Sequence, residues 1–567
     1  MSEGALLKRF DLIADNPENM PLLRHYIVDL AIRGKLLERS ALDISAPVML
    51  KRIEEKSYLL IKQGKLKKQK PLLPISAEEL PATYIDHCMF ERLGNIANLQ
   101  KGLTGIQSST SGDFKLVVTS ANRSTCDHYD FEGAAAIIPM VSSTGHGHAS
   151  LNRLHYEEGK FALGTILCAV FPIDEELISA RFLFEYLTAF KSDLLVSKMN
   201  GTANVTLTIS KIAEVPVPII APAVQRRVNE LMLLCDQLQA AQGEREKRRD
   251  RLVAASLFCI DTDFTKADEV ETGGELNTPL SEAARFHLTH ITSLTTRPEH
   301  IKQLRQTILS LAVRGRLVSQ EPDDEPATIL IKQIAVAMDS KKSLLSTADF
   351  DAPFTTPDGW AWVKLGVICS KTGSGSTPSG GKDAYIKKGI PFLRSQNIYD
   401  DGLRLSNVAF ISDETHQRMK NTSVMPGDLL LNITGGSIGR CAIVPDNFKL
   451  GNINQHVAIV RLALKELNAF NHLMIISPYF QNEIFSSLTG AGREGLPKKR
   501  MDEILIPMPP LAEQKRIVTK VIELMKLCDQ LEAQLKTIQT VSRRFLEALL
   551  SEASLPIEKS VELESQI

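Results

Sequence analysis

Eight residues near the middle of the chain, Leu231-Met232-Leu233-Leu234-Cys235-Asp236-Gln237-Leu238, return near its end as Leu524-Met525-Lys526-Leu527-Cys528-Asp529-Gln530-Leu531. The copies lie 293 residues apart (524 − 231), about half of a 567-residue chain. A repeat on this scale limits the fold more than any local signal, because both halves must then build one frame. A second matched block lies upstream. Val217-Pro218 and Gln225-Arg226-Arg227-Val228 align with Ile506-Pro507 and Gln514-Lys515-Arg516-Ile517 at an offset of 289 (514 − 225), which reaches back through Glu214/Glu503, Leu207/Leu496 and Gly201/Gly490. The second copy therefore carries four more residues, about one helical turn.

A third block opens each half. Arg24 and Ile27–Leu36 match Arg305 and Ile308–Leu317 at an offset of 281 (305 − 24), and the register holds to Lys51/Lys332 and Ile53/Ile334. Leu93-Gly94-Asn95-Ile96 then matches Leu365-Gly366-Val367-Ile368. Between the blocks lie two segments, 95–200 and 368–488, that do not align with each other. Drift of loops after duplication is the plain explanation. Segments of domain size, rich in strand and turn signals, instead suggest a duplicated frame carrying two different inserts.

Helical periodicity marks the frame. Leu22, Tyr26, Leu30, Ile32 and Leu36 give the first helix an apolar face, and Gly34 is placed to end it. Pro47 stands in the first turn of a second helix with Leu50, Ile53 and Leu60 inward, and Gly64–Pro71 follows as an extended linker. A long helix runs from Gln225 to about Leu257, with Leu231, Leu234, Leu238, Ala241, Leu252 and Ala255 on heptad positions and Arg245 and Arg248 in the seam. Its second copy places Leu524, Leu527, Leu531, Ile538, Val541, Phe545 and Ala548 there, with Gln534 as the interruption. Thirty residues make a rod of about 45 Å.

The expected architecture is α+β. Two α/β domains would be separated by paired antiparallel long helices in a coiled coil, related by an approximate two-fold axis. The segments are 1–85 (helical), 86–215 (first mixed domain), 216–360 (long helix, connector 260–300, helices 301–345), 361–507 (second mixed domain) and 508–567 (long helix and tail). Within 86–215, strands are expected at Lys115–Thr119, Ala134–Ile138 and Thr165–Val170, with a helix from Phe182 to Val196. Strands at Asp428–Ile433 and His456–Leu462 mark the second domain.

The formal net charge is −1, so a nucleic-acid binder of this sequence needs a local basic face. Lys51–Lys70 supplies one candidate, with eight Lys/Arg against two Glu; a solvated helix end is the plain alternative. Eight cysteines without a CxxC pair indicate reduced core thiols in a cytosolic protein. There is no apolar run of the ~20 residues a membrane helix needs.

Catalytic signatures fail one by one. Gly375–Lys382 has one residue too many for a P-loop, and Asp383 follows where Ser or Thr is required. No GxGxxG follows a strand, and no Asn-Pro-Pro-aromatic or Asp-Pro-Pro-Tyr tetrapeptide occurs. Pro322-Asp323 with Asp339-Ser340-Lys341 fits a permissive nuclease pattern, but it falls in the repeated frame and the first copy lacks it.

Polar glycine turns are abundant in both inserts. Backbone amides, hydroxyls and Lys or Arg contact phosphates. Arg pairs with guanine, and Asn or Gln with adenine, each worth about 1–3 kcal/mol of discrimination. The candidate DNA-contacting side chains in the first insert are Lys101, Thr104, Asn122, Arg123, Ser143, His146 and His148. In the second they are Lys371, Ser374, Ser376, Arg394, Gln396, Asn397, Thr434, Ser437, Arg440, Gln455, Arg493, Lys498 and Lys499. His146 and His148 could ligate a metal, but no Cys, Asp or further His nearby completes a site, so no metal site is expected.

Several stretches resemble the specificity (S) subunits of type I restriction–modification enzymes. They are Leu311–Val318 with Glu325-Pro326-Ala327; Gly64–Pro71; Pro391–Ile398; Gly427–Arg440 with Asn454–Ala458; and Pro509–Ile517. The opening block and lysine tract are most similar to the branch called type IB. The resemblance spans essentially the whole chain and is weakest in the first insert. It implies two target-recognition domains, each reading one half of an asymmetric bipartite site on double-stranded DNA. It also implies helical regions that dock two methyltransferase (M) subunits, with restriction (R) subunits joining them. The chain itself would bind no cofactor. S-adenosylmethionine, ATP and Mg²⁺, with adenine methylation and ATP-dependent DNA cleavage, would belong to those partners in a prokaryotic cytoplasm. Two other classes compete: a coiled-coil scaffold whose inserts bind proteins, and a self-sufficient nuclease or methyltransferase.

Overall fold

The computed structural model describes residues 19–37, 43–68, 70–80, 84, 88–105, 109–144, 148–201, 205–267, 286–287, 289–338, 351–380, 384–488 and 495–553. Two compact units result. One comprises Met1–Glu246 with Gln539–Ile567, and the other Lys247–Ile538.

The first unit opens with α1 (Met20–Ile32) and α2 (Ala46–Lys62). Each has a proline in its first turn, where a missing N–H costs nothing. Helix α1 ends at Gly34, whose φ of +66° lets the Lys35 amide reach back to the Leu30 carbonyl at 2.9 Å. Its buried face is Ile27, Val28, Ala31 and Ile32, while Leu22, Tyr26 and Leu30 are half-buried. The expected stripe is thus rotated, towards the core it shares with the insert.

The insert is closed by a two-stranded ribbon. Strand β1 (Met89–Arg92) pairs antiparallel with β10 (Pro216–Ile219), Arg92 opposite Pro216. Pro216 and Pro218 are tolerated because β10 has a partner on one side only. Inside the ribbon, β2 (Ala97–Lys101), β3 (Phe114–Val117), β4 (Ser124–Cys126), β5 (Phe131–Glu132), β6 (Ala135–Pro139), β7 (His155–Glu157), β8 (Lys160–Leu163) and β9 (Leu167–Pro172) form two four-stranded sheets. Their orders are β2-β9-β6-β7 and β4-β3-β8-β5, with β3 and β8 parallel. Strand β6 is buried throughout, as an unbroken apolar run requires. Helix α3 (Ala180–Ala189), capped by the Ser179 hydroxyl, stops at Phe190, short of the expected Val196. The chain leaves as α4 (Pro222–Ala267), 46 residues or about 69 Å.

The second unit repeats this plan. Helices α5 (Pro298–Val313) and α6 (Ala327–Ala337) correspond to α1 and α2. Gly315, with φ +71°, ends α5 as Gly34 ends α1. A ribbon of β11 (Ala361–Lys364) and β22 (Leu505–Met508) closes the insert. The enclosed sheets run β12-β21-β18-β19 and β16-β13-β20-β17, with β13 and β20 parallel. These strands are β12 (Cys369–Ser374), β13 (Ile390–Leu393), β16 (Ala409–Ile411), β17 (Ser423–Val424), β18 (Leu429–Asn432), β19 (Cys441–Ile443), β20 (Gly451–Ile453) and β21 (Val457–Leu462). An added hairpin, β14 (Ile398–Tyr399) with β15 (Gly402–Leu403), lies between β13 and β16. Helices α7 (Asn468–Ile476), α8 (Pro478–Ser486) and α9 (Lys498–Glu503) precede β22, and α10 (Leu511–Ala553) follows it.

Strand for strand, β2 to β9 correspond to β12, β13 and β16 to β21. The inserts that share no alignable sequence therefore share one topology, which corrects the reading of two different inserts. A sheet core asks only for apolar side chains at inward positions, and many sequences meet that demand.

The frame repeats in detail. Arg24 pairs with Asp236 at 2.6 Å, and its match Arg305 pairs with Asp529 at 2.7 Å. Leu93 N–H donates to Val215 O at 2.8 Å, and Leu365 N–H to Ile504 O at 2.9 Å. Gln225 and Gln514, both buried, each donate to main-chain carbonyls before their long helix. The heptad reading holds at Leu231, Leu238, Leu524 and Leu531, which pack on the cores, and its other line lies one residue off. Val228, Met232 and Cys235 are buried while Leu234 is 56% exposed; Val253 and Leu257 are buried while Leu252 is 46% exposed. Cys528 is likewise buried, and Leu527, Ile538 and Val541 are exposed. The buried line Val228, Met232, Cys235, Gln242, Val253, Ser256 and Ile260 itself keeps a heptad spacing.

The glycine pair gives a test. A Cβ on Gly34 meets nothing within 4 Å, whereas one on Gly315 would stand 2.5 Å from Pro357 Cγ and 2.8 Å from Trp360 Cζ2. Left-handed backbone costs a non-glycine residue about 1–2 kcal/mol, and forced packing about 1–3 kcal/mol more. Both tryptophans, Trp360 and Trp362, lie in the second unit. G315A should therefore move the tryptophan-fluorescence transition to clearly lower urea, and G34A should leave it in place. Equal shifts would refute the assignment.

Candidate nucleic-acid interface

In the second unit, the loops at one end of the sheets are tied into a single cluster. Gly375 N–H donates to Val457 O, and Asn454 N–H to Leu393 O. The fully buried Asn432 donates from Nδ2 to Ser395 O at 2.9 Å and to Ser437 Oγ at 3.0 Å. Thr377 Oγ1 donates to Gln455 Oε1 at 2.6 Å, Gln455 Nε2 lies 3.2 Å from His456 Nε2, and His456 Nδ1 bonds Thr434 Oγ1. Thr434 also bridges to Gly495. Five segments, 374–378, 393–397, 432–440, 454–456 and 495–496, thereby present one polar surface. Ser374, Ser376, Thr377, Gln396 and Gln455 are exposed on it.

The first unit gathers the corresponding loops. Gly102 N–H donates to Leu167 O as Gly375 does to Val457 O. Leu207 N–H donates to Met140 O as Leu496 N–H does to Ile433 O, both at 2.9 Å. So 101–104 corresponds to 374–377, 118–123 to the segment from Arg394, 140–154 to 433–440, and 164–166 to 454–456. A glycine is needed at the first of these turns. Its Cβ would fall 2.1 Å from Gly164 O at Gly102 and 2.0 Å from Ile453 O at Gly375.

Residues 357–540 match the family model described as the type I restriction modification DNA specificity domain. The EcoAI specificity subunit of Escherichia coli is 27% identical, over 94% of this chain and 93% of that protein. The EcoEI specificity subunit of Escherichia coli is 25% identical over the same shares of each chain. Among solved structures, the HsdS subunit of Thermoanaerobacter tengcongensis aligns with a TM-score of 0.34 and 17% identity, covering 82% of this chain and 96% of that one. Over 357–540 the chain thus carries a type I restriction DNA specificity domain, and along nearly all of its length it is similar to type I restriction specificity subunits.

The twenty candidate side chains fall into three groups. Lys101, Asn122, Ser143, His148, Ser374, Ser376, Gln396, Gln455, Lys498 and Lys499 are exposed. Three of these also hold their own loops: Ser143 accepts from Asn152 N–H, Gln455 accepts from Thr377, and Lys498 donates to Asp502. A second group is turned inward. Thr104 donates to Asp130 Oδ2 at 2.8 Å, and Asn397 closes its turn by accepting from Arg394 N–H and donating to Arg404 O. Lys371 donates to Asn421 O, and Ser437 accepts from Asn432. Arg123 donates to Glu157 at 2.7 Å and contacts His155. Arg394, Thr434 and Arg440 are half-buried. His146 and Arg493 lie outside the described residues.

Electrostatics agree with that sorting. Burial, then Arg123 and Arg153, bring the His155 imidazole down to about 4, so it is neutral and can accept from Arg123. Burial raises Glu157, but hydrogen bonds from Lys115 and Arg123 outweigh it and hold the carboxyl below its usual range. Burial, with Arg461 nearby, lowers the Lys371 ammonium. The guanidinium groups of Arg404 and Arg440 lie 5.1 and 4.7 Å from the Tyr399 ring centre.

Sequence reasoning missed Thr165, exposed at the position of Gln455, because 164–166 reads as the start of a strand. It also missed Thr206, opposite Val141, and the Tyr399 stack. Cys126, Asp127 and His128 are the one group among the described residues able to hold a metal, their ligand atoms lying within 4.8 Å. His128 is already bonded to Asp127 at 2.7 Å and to Thr104 at 3.0 Å.

Two measurements check the cluster. N432A leaves two half-buried partners, Ser395 O and Ser437 Oγ, without their donor, a loss of about 1 kcal/mol, so hydrogen exchange should quicken in 394–397 and 435–440 while the first insert is unchanged. The linker 71–80 is held by Arg92, which donates to Leu73 O, Pro74 O and both oxygens of Glu79. Those bonds hold the Glu79 carboxyl at about 2 against an ordinary 4.5. The stabilisation is present above the ordinary value and lost as pH falls towards about 2. E79Q should speed proteolysis of the linker at neutral pH, and its difference from the parent should vanish towards pH about 2; a difference independent of pH would refute the ion pair.

Proposed function

We propose that this chain is the DNA-reading subunit of a type I restriction–modification complex, and that each insert, 86–215 and 361–507, reads one half of an asymmetric bipartite site on double-stranded DNA. One observation carries the reading: two domains of identical strand order present different side chains at equivalent loop positions. Ser374, Ser376 and Gln455 in one stand where Lys101, Leu103 and Thr165 stand in the other. A shared scaffold with unlike heads is what recognition of two unlike half-sites requires, since donors, acceptors and methyl groups on base edges differ.

The frame is the proposed docking surface for two methyltransferase subunits, with restriction subunits joining the assembly. Leu234 and Leu527, matched in the repeat, are 56% and 54% exposed on their long helices. Two equivalent apolar positions suit two copies of one partner. Adenine methylation and ATP-dependent cleavage, with their S-adenosylmethionine, ATP and Mg²⁺, are assigned to those partners and not to this chain.

Exchange of residues 95–200 for the corresponding segment of another specificity subunit tests the proposal. Methylation mapped across a genome should show one half-site replaced, the other half and the spacer kept. Two unchanged half-sites would end the proposal.

A further inference from the structure

The lysine tract of the first frame is absorbed by neither insert. Leu66 is buried in the core of the first unit and pins the tract, leaving Lys65, Lys67, Lys68 and Lys70 exposed around it. Arg92 secures the chain just beyond, through Leu73, Pro74 and Glu79. Lys65, Lys67 and Lys70 thereby line a groove of about 690 Å³ together with Lys101 and Gln100 of β2 and Ser210. No carboxylate is among its lining residues. Lys67, Lys68 and Lys70 also line an adjoining cleft of about 480 Å³. Its Glu91 accepts from Arg92 N–H and Asn95 Nδ2, both at 2.8 Å, and Glu54 is the other carboxylate there. None of the five lysines makes an ion pair among the described residues. Like charges gathered without counter-charge repel one another, and a polyanion is what would relieve them.

We infer that Lys65, Lys67, Lys68 and Lys70, with Lys101, form a sequence-independent clamp for the phosphate backbone of double-stranded DNA beside the first insert. Lys101 opens the loop 101–104 of the candidate interface, so groove and reading surface are continuous. The clamp is one-sided. Between the matched pairs Ile53/Ile334 and Leu93/Leu365 the second copy is nine residues shorter (281 − 272). The first copy has six lysines there and the second, after Ile334 and before Leu365, has Lys341, Lys342 and Lys364. The inference rests on the DNA-reading proposal and adds an affinity term to it, since phosphate contacts position a protein without reading bases.

The test is a salt titration of duplex binding by the full chain, alone and with its methyltransferase partners. The probes are a mixed-sequence duplex and a duplex carrying the methylated site. Each phosphate neutralised contributes about 0.9 to the slope of log affinity against log salt. The variant K65Q/K67Q/K68Q/K70Q should make that slope shallower by about 2–4 on both duplexes and leave the methylated sequence unchanged. K51Q/K62Q, which removes two exposed lysines elsewhere in the first frame, should leave the slope as in the parent. An unaltered slope in the quadruple variant, or a defect confined to assembly with the partner subunits, would overturn the clamp and, in the second case, make the groove a site for an acidic protein surface. A parent chain with no salt-dependent duplex binding would instead overturn the DNA-reading proposal itself.

Discussion

Each insert hangs from the frame by one antiparallel ribbon, and the rest of the architecture follows from that attachment. Four residue pairs in each unit, Met89–Arg92 against Pro216–Ile219 and Ala361–Lys364 against Leu505–Met508, bring the entry and exit of the insert side by side. A single amide–carbonyl bond then seals each neck, Leu93 to Val215 and Leu365 to Ile504. Once the ends of the insert are fixed in this way, its interior can change sequence without altering where the frame helices begin. Loop closure costs little more as an insert lengthens, because the entropy grows only with the logarithm of its length. The added hairpin Ile398–Leu403 in the second insert is an example of such tolerance.

The frame contributes rigidity through a few polar contacts placed where apolar packing could not specify register. Arg24 with Asp236 and Arg305 with Asp529 join the opening helix to the long helix in each unit. These pairs are partly exposed, so each adds little to stability; their repetition fixes which turn faces which. Gln225 and Gln514 act more deeply. A buried amide that satisfies carbonyls left free at a strand end cannot be replaced by an apolar group without orphaning them. The second frame also has a feature that the first lacks. Glu513 accepts from Trp360 Nε1 at 2.9 Å and Gln320 Nε2 at 2.8 Å, and Val224 occupies its place in the first.

Much of this was legible in the residues. Gly34 and Gly315, Gln225 and Gln514, Arg24 and Arg305 are recoverable by aligning the chain with itself, because each has one chemical task that few residues can perform. The inserts hid their kinship for the opposite reason. Their strands require only apolar inward positions, so Ala135–Pro139 and Leu429–Asn432 do the same work with little in common. One of the two expected lines of the long helices lies one residue off, because leucine spacing alone does not say which of two adjacent positions faces the core. Cys235 and Cys528, not the adjacent leucines, turned out to mark the buried line. Candidate site residues were the least legible. Composition nominates a polar loop, but only the fold tells which of its side chains, such as Thr104 or Asn397, face inward.

That division between inward and outward polar groups has a mechanical meaning for the proposed reading surface. Thr377, Gln455, His456 and Thr434 are linked in one chain of hydrogen bonds, and Asn432 ties two further loops to it. Loops held this way lose little conformational freedom when they meet a ligand, so less of the contact energy goes to ordering them. The exposed heads Ser374, Ser376 and Gln396 can then differ between copies while the linked residues, Gln455 among them, keep them in place. In the first insert the Lys115–Glu157–Arg123 network does comparable work with charges. A buried carboxylate held by two cations strongly resists displacement, because removing either partner leaves charge unpaired in a low-dielectric setting. Two chemically different supports thus hold equivalent loops, and change in the supports and change in the exposed heads can proceed independently.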